Sequence, residues 1–304
     1  MKTTFLKTIV QISWLSLVFV ISCQRESINN QAPASMQAQA EMTAHDNSEM
    51  VAVAQDAMNA TGSALASKGI SSSNRQSSSN QRTSDFEIDC SPNITSTFTI
   101  DRSHADSIIY SGILIIDYGT GSLCTDSTEI KKGKLIDAFK LIVRVKDSVA
   151  YHLTESVTFQ GYQKDSVKVD GIFTSTSTSD ATSVLTIQNA KITYADGTFV
   201  SWSGTLTNQY IREGFHERDQ ESRQVTGSIS GVNRTGTAFS ASITKAILFE
   251  YSCSRDIPVA GTVDLIIGSV TSTIDYGAGT CDKDYTITAG GTTTSYIFKR
   301  HHHA

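Results

Sequence analysis

From Phe86 onward, apolar and polar residues alternate with a period of two, the pattern of strands that bury one face. Leu141, Val143 and Val145 alternate with Lys140, Ile142 and Arg144, and Val157, Phe159 and Gly161 with Thr158 and Gln160. Val167, Val169 and Phe173 flank Asp170-Gly171; Val200, Trp202 and Leu206, then Val225, Ile229, Phe239, Ala241 and Ile243, carry the alternation further. Thr, Val, Ile and Tyr are abundant, as suits a pleated, half-buried surface. Asp196-Gly197 marks a hairpin turn, because both residues tolerate positive φ. No long helical period follows residue 86, and only Pro92 and Pro258 interrupt the run. The pattern predicts an all-β, antiparallel domain over residues 86–300, either a β-sandwich or a curled, barrel-like sheet, with a tail at 301–304.

The preceding stretch differs sharply. No aromatic residue occurs between Phe19 and Phe86, and Gln, Ser, Asn and Ala dominate, with serine runs at 71–73 and 77–79. Such a composition offsets little of the entropy of ordering the chain, so a disordered polar tether is expected over residues 23–85. As a flexible coil it would reach roughly 45 Å. Within it, Asp46 and Glu49 have the spacing of a capping box, and Met50, Ala54 and Met58 follow at i, i+4 and i+8 beside Val51. This predicts a short helix stopped at Gly62, either transient or docked on a partner or on the β-domain.

One motif occurs twice. Ile116-Asp117-Tyr118-Gly119-Thr120-Gly121-Ser122-Leu123-Cys124 returns as Ile274-Asp275-Tyr276-Gly277-Ala278-Gly279-Thr280-Cys281, each preceded by a Cys-Ser pair at Cys90 and Cys253. The copies divide the region unevenly, which favours one domain with two equivalent hairpins over two domains splitting near Phe249. Asp117 and Asp275, with Asp126, Asp282 and Asp284 nearby, invite a metal reading, but one carboxylate per loop is far short of a calcium cage. Turn chemistry is simpler: Asp accepts backbone N–H groups, the glycines take positive φ and Tyr packs.

Composition fixes the chemistry that is excluded. The chain has 304 residues and a formal charge of -5. No basic patch stands out, so nucleic acid is not expected as a partner. Five cysteines are present. Setting Cys23 aside leaves Cys90, Cys124, Cys253 and Cys281, which read as two disulfides in an exported chain. No pair has C-x-x-C spacing, so zinc is not expected, and nothing calls for a cofactor. Four cysteines allow three pairings. The duplication favours Cys90–Cys124 and Cys253–Cys281, with Cys90–Cys253 and Cys124–Cys281 as the rival if the two hairpins lie side by side.

Other candidates are weaker. Arg212 to Arg223 is charge-dense and holds His216, Glu217 and Asp219, but not in H-e-x-x-h spacing; a solvated connection is expected. His301, His302 and His303 end the chain. Trp202, between Tyr194 and Tyr210, could stack on a sugar, although its alternation points it inward. Asp106-Ser107-Ile108, Asp147-Ser148-Val149 and Asp165-Ser166-Val167 look like O-glycan acceptor tripeptides, or like ordinary turns. No Ser-His-Asp spacing or G-x-S-x-G elbow appears.

The N-terminus gives the address. Lys2 and Lys7 precede an apolar segment, Ile9 to Ile21, that is too short to span a bilayer. It ends in Val20-Ile21-Ser22-Cys23, which resembles the lipobox of bacterial lipoproteins. That resemblance implies removal of residues 1–22 and acylation of Cys23, which then carries the membrane anchor. Gln24, where an Asp would favour inner-membrane retention, points to the outer membrane. Lipobox, polar tether and a β-domain with Asp-Tyr-Gly-x-Gly…Cys loops together resemble a group of bacterial envelope lipoproteins. Gly133-Lys134-Leu135, Ala195-Asp196-Gly197 and Ser201-Trp202-Ser203 add to the match. The resemblance carries an address and an architecture but no catalytic residues. The expectation is a lipid-anchored envelope protein, a non-enzymatic structural or ligand-binding module with a glycan or envelope protein as ligand. The alternative is a glycan hydrolase with two carboxylates in a cleft.

Overall fold

The alternating region folds into fourteen strands of one sheet. A computed structural model describes residues 34–70, 90–124, 129–144, 151–179, 181–212, 221–250, 252–253 and 257–297. The strands are β1 (Asn93–Asp101), β2 (Ser107–Asp117), β3 (Ser122–Leu123), β4 (Ile130–Arg144) and β5 (Tyr151–Lys164). They continue with β6 (Val167–Ser179), β7 (Thr182–Thr193), β8 (Phe199–Arg212), β9 (Glu221–Val232) and β10 (Ala238–Glu250). The last are β11 (Ala260–Ile267), β12 (Val270–Ala278), β13 (Asp284–Ala289) and β14 (Thr292–Ile297). Apart from the short β3, which pairs with β4, each strand is hydrogen-bonded to its neighbour in sequence. The result is an antiparallel meander. It is one sheet and not the two packed sheets of a sandwich. It also runs unbroken past Phe249, since β10 pairs with both β9 and β11, so the described strands do not divide there.

The alternation read from the sequence is the burial pattern. Leu141, Val157, Phe173, Trp202, Leu206, Ile229 and Phe239 all face the core. Asp196-Gly197 is the β7–β8 turn, with Gly197 at φ 83° and the Asp196 carboxylate accepting the Thr198 N–H at 2.9 Å. Gly133, at φ 74°, forms a bulge against β5, where a Cβ would strike the Gly161 carbonyl oxygen.

The tether expectation fails over its middle. Ala34–Ser67 is one continuous helix, α1, about 50 Å long at 1.5 Å per residue. Its end is a Schellman motif: the Gly69 N–H donates to the Ala66 carbonyl at 3.0 Å and the Ile70 N–H to the Leu65 carbonyl at 2.9 Å, with Gly69 at φ 74°. Ile70 and Leu65 are both buried, supplying the motif's apolar contact. Gly62 therefore lies within the helix and does not stop it. Asp46 and Glu49 likewise sit mid-helix and do not cap it.

Helix α1 contacts β2, β4 and β5 near one end of the sheet order and β11, β12 and β13 near the other. With strands ~4.8 Å apart, β2 and β13 would stand roughly 50 Å apart in a flat sheet, whereas a helix is only ~10 Å across. The sheet therefore curls around the helix, without β1 and β14 pairing to close a barrel. The buried helix positions are mostly small, Ala40, Ala44, Ala54, Ala57 and Ala64 with Thr43 and Thr61, which lets the backbone sit deep in the trough.

The duplicated units are structurally equivalent. In the first, β1 pairs with β2 in full register, Asn93 opposite Asp117; in the second, β11 pairs with β12, Ala260 opposite Ala278. In each, the aspartate Oδ1 accepts a glycine N–H two residues on, Asp117 from Gly119 and Asp275 from Gly277, both at 2.9 Å. Tyr118 and Tyr276 are both buried. The cysteines pair within units, Cys90 with Cys124 and Cys253 with Cys281. Strands β2 and β12 run in opposite directions with eight strands between them, so the loops emerge at opposite ends of the sheet. That is why pairing across copies does not occur. Peptide mapping of unreduced protein should recover Cys90–Cys124 and Cys253–Cys281 fragments, and a fragment joining Cys90 to Cys253 would contradict this register. Replacing Cys253 and Cys281 by Ser should cost about 3–4 kcal/mol through the loosened unfolded chain, read from the urea midpoint.

Candidate functional site in the helix seat

Polar and charged side chains gather where α1 meets the sheet. They form four groups. The first surrounds Asp56. Lys131, at the start of β4, places Nζ 2.8 Å from Asp56 Oδ1 and 3.2 Å from Glu129. Lys164, at the end of β5, lies 3.0 Å from Glu129 and 3.8 Å from Asp56. The Tyr162 hydroxyl donates to Asp56 Oδ2 at 3.0 Å. Burial opposes ionisation of Asp56, but the charges of Lys164 and Lys131 outweigh it and hold the carboxyl below its ordinary range. Burial likewise disfavours the charged form of Lys131, yet Asp56, Tyr118 and Glu129 hold its pKa above normal.

The second group grips Asp46. Arg234, in the β9–β10 turn, donates from Nε at 2.9 Å and Nη2 at 2.6 Å to Asp46 Oδ1. Its guanidinium lies 3.2 Å from the ring centre of Tyr194 in the β7–β8 turn, a cation–π contact. The Tyr194 hydroxyl donates to Glu49 at 2.8 Å and lies 3.2 Å from Asp46. Next to Arg234, Asn233 donates to Thr43 at 2.9 Å while its own Oδ1 accepts the Thr235 and Thr237 N–H groups. Burial raises the pKa of Asp46 despite the opposing hydrogen bond from Arg234.

The third group belongs to the second repeat. The Tyr276 hydroxyl lies 3.2 Å from Ser48 Oγ, and burial pushes that phenol up to about 12. Tyr276, Tyr285 and Tyr296 form a file of rings with centroids 6.2 and 5.4 Å apart. Both Asp-Tyr-Gly loops thus send their tyrosine inward, Tyr276 to the helix and Tyr118 to Tyr162 and Lys131 beside Asp56.

The fourth group is a pair of acids beneath the C-terminal part of α1. Asp137 on β4 is 0% exposed and Glu155 on β5 6%. Burial raises both, to about 7 and about 8, and for Glu155 the nearby Asp137 charge adds to the effect. These two carboxylates face the same side of adjacent strands, but both are buried and not open to solvent.

The residues singled out in the sequence fall as follows. Trp202 is buried beside Phe173, ring centroids 6.4 Å apart, so it offers no sugar platform. Tyr194 faces the helix. Cys23, His216, Glu217, Asp219, Ser148 and His301–His303 lie outside the described residues. Arg223 is buried, with its guanidinium 4.2 Å from the Phe249 ring, so that end of the charge-dense stretch is not solvated. Asp165-Ser166 forms the β5–β6 turn, where Asp165 takes φ 54° and accepts the Ile130 N–H at 2.9 Å. Among the described residues one His/Cys/Asp/Glu cluster has metal-binding spacing, Cys90, Cys124 and Glu129. Its cysteines are bonded to each other and its glutamate pairs with two lysines, so it is a covalent and ionic junction.

The helix-holding residues were missed in the sequence, although one signal was there. Asp46, Glu49 and Asp56 are spaced by three and seven, which puts them on one side of a helix. No protein-family model matches the chain, and neither a curated protein nor a solved structure is significantly similar to it.

Proposed function

We propose that the chain is a lipid-anchored cell-envelope protein whose β-module has a structural or ligand-binding role and no catalytic one. The observation that carries this reading is the occupancy of the trough. The concave face of the sheet, where a ligand or substrate would lodge, is filled by α1, and Lys131, Lys164 and Arg234 are engaged in holding that helix through Asp56 and Asp46. The helix is also the element that follows the Cys23 anchor in sequence, so it joins membrane and sheet. The outer membrane is the proposed location, and an envelope glycan or protein the proposed partner, met through the outer face or the loops.

Replacing Cys23 by Ser tests the anchor. The variant should lose incorporation of labelled palmitate and move from the membrane to the soluble fraction, and unchanged fractionation would reject the anchor. A glycan hydrolase would need an open pair of carboxylates roughly 5–10 Å apart. Turnover of a glycan by the full chain, abolished by Asp137→Asn or Glu155→Gln, would reject the non-catalytic reading.

A further inference from the structure

Asp137 and Glu155 occupy adjacent strands on the concave face. Asp137 stands opposite Val157 and Glu155 opposite Phe139, so the two acids are diagonal neighbours, within reach of each other across the ladder. Asp137 Oδ1 accepts the Ser156 N–H at 3.1 Å, but Asp137 Oδ2 and Glu155 Oε1 are buried with no hydrogen-bond partner. The other contact of Glu155 is with the Thr61 hydroxyl of α1. That hydroxyl already donates its one proton to the Met58 carbonyl at 3.1 Å. A hydrogen bond from Thr61 by itself would lower the pKa of Glu155, but burial outweighs it; a protonated Glu155 can instead donate to the Thr61 oxygen, whose own proton goes to Met58.

Among the described residues no cation answers the pair. On α1 and its C-terminal turn, Asp56 is held by Lys131 and Lys164, and Lys68 is exposed. On β4, Lys131 is engaged by Asp56 and Glu129, Lys134 by Asp117 at 2.8 Å, Lys132 lies beside Gly121, and Lys140 and Arg144 are exposed. On β5, Lys164 is bound to Glu129 and His152 is exposed. On β6, Ser175 stands opposite Glu155 and is neutral, and Lys168 pairs with Asp170. The inward residues of β2 carry no charge. Among the described residues, the charge that acts on Glu155 is that of Asp137. Ionising both acids would bury two like charges without compensation, which the protein relieves by admitting water.

The cheapest route for water is the helix. The ion pairs and hydrogen bonds to the sheet described above fall between Thr43 and Asp56. From Ala57 to Ser67 the described side chains make one polar contact with the sheet, Thr61 to Glu155. We propose that Asp137 and Glu155 form a proton-operated latch: neutral, they let the C-terminal part of α1 seat on β4 and β5, and ionised, they lift it. Burial places the titration of the pair near neutrality, at about 7 and about 8. Both values lie above those of solvated carboxyls, ~4. The contribution to seating is thus complete below pH ~4 and is lost as pH rises through the seated-state values, with no further change above them. Each acid shifts the open–closed ratio about tenfold per pH unit in that window.

Hydrogen exchange of the full chain in detergent micelles tests the latch. After correction for intrinsic rates, the opening constant of peptides covering residues 57–67 should rise at least tenfold from pH 5.5 to 7.5 and level off above about pH 8, while β7–β9 stay protected. The Asp137→Asn/Glu155→Gln chain should show a flat, low opening constant. Helix protection independent of pH, the same rise in the double variant, or an equal rise across the whole sheet would each overturn the proposal. Should the double variant fail to fold, the wild-type infrared band of protonated carboxyls provides the check. Its loss with rising pH must accompany opening of residues 57–67, and loss without opening overturns the latch.

Discussion

A chain lacking Ala34–Ser67 should fail to accumulate as soluble monomer. The helix covers the concave side chains of most of the sheet, and removing it would expose an apolar trough running beneath β2 to β13, larger than the few hundred Å² that soluble monomers tolerate. A gentler variant isolates the cause. Ala57 is fully buried in the seat, so Ala57→Asp should cost about 3–5 kcal/mol, the penalty of an uncompensated buried charge. The urea midpoint should fall accordingly and dye binding to exposed apolar surface should rise. A deletion chain that stays monomeric with a cooperative melt, or an Ala57→Asp chain as stable as its parent, would show that α1 rests on the domain without being part of its core.

Lys131→Met should be nearly as damaging, at about 3 kcal/mol at neutral pH. The Lys131 side chain is only 6% exposed and neutralises Asp56 at 2.8 Å. Methionine keeps the stem but leaves Asp56 with Lys164 at 3.8 Å and the Tyr162 hydroxyl, a partly buried carboxylate that has lost its nearest cation. The sign of the pH dependence distinguishes charge from packing. Asp56 has a depressed pKa in the native chain, so its ion pairs stabilise above the unfolded carboxyl value and are lost as pH falls through the native one. In the variant the share of that benefit due to Lys131 is gone, Lys164 and Tyr162 remain, and acid neutralises the weakened carboxylate. The gap between parent and Lys131→Met should therefore shrink between pH 7 and pH 4. An equal loss at both would attribute the effect to packing of the stem.

The sheet was legible because its information is local. A period of two survives wherever one face is buried, and it placed Trp202, Phe173 and Leu206 inward and Asp196-Gly197 in a turn. The repeats were legible for the same reason, since Asp117–Gly119 and Asp275–Gly277 are contacts across two residues, and the within-unit disulfides follow from hairpins that close locally. The helix was legible only in part: Met50, Ala54 and Met58 marked a short stretch of it, but not its extent from Ala34 to Ser67. Alanine adds little to hydrophobicity, so Ala40, Ala44, Ala57 and Ala64 do not stand out as a buried face, Asp46 suggested a cap and not a buried partner, and Thr43, Asn47 and Thr61 are polar residues that the fold nonetheless buries. Their partners are remote: Asp56 meets Lys131 across 75 residues and Asp46 meets Arg234 across 188. No window of sequence contains both halves of such a contact. The curl was hidden likewise, because it emerges from twist accumulated over many strands and from bulges such as Gly133.

Docking of α1 changes how far the protein can roam. A tether running from Cys23 to Phe86 would let the domain sweep a deep hemisphere above the bilayer. With the helix seated, ten residues separate Cys23 from Ala34, a span of at most ~40 Å even fully extended and less than half that as a coil. If Cys23 is acylated as proposed, the domain is a short-leash resident of the membrane surface. Partners embedded in the same leaflet would then meet it at a high effective concentration, so even weak contacts suffice, while partners a full tether's length away lie beyond its reach.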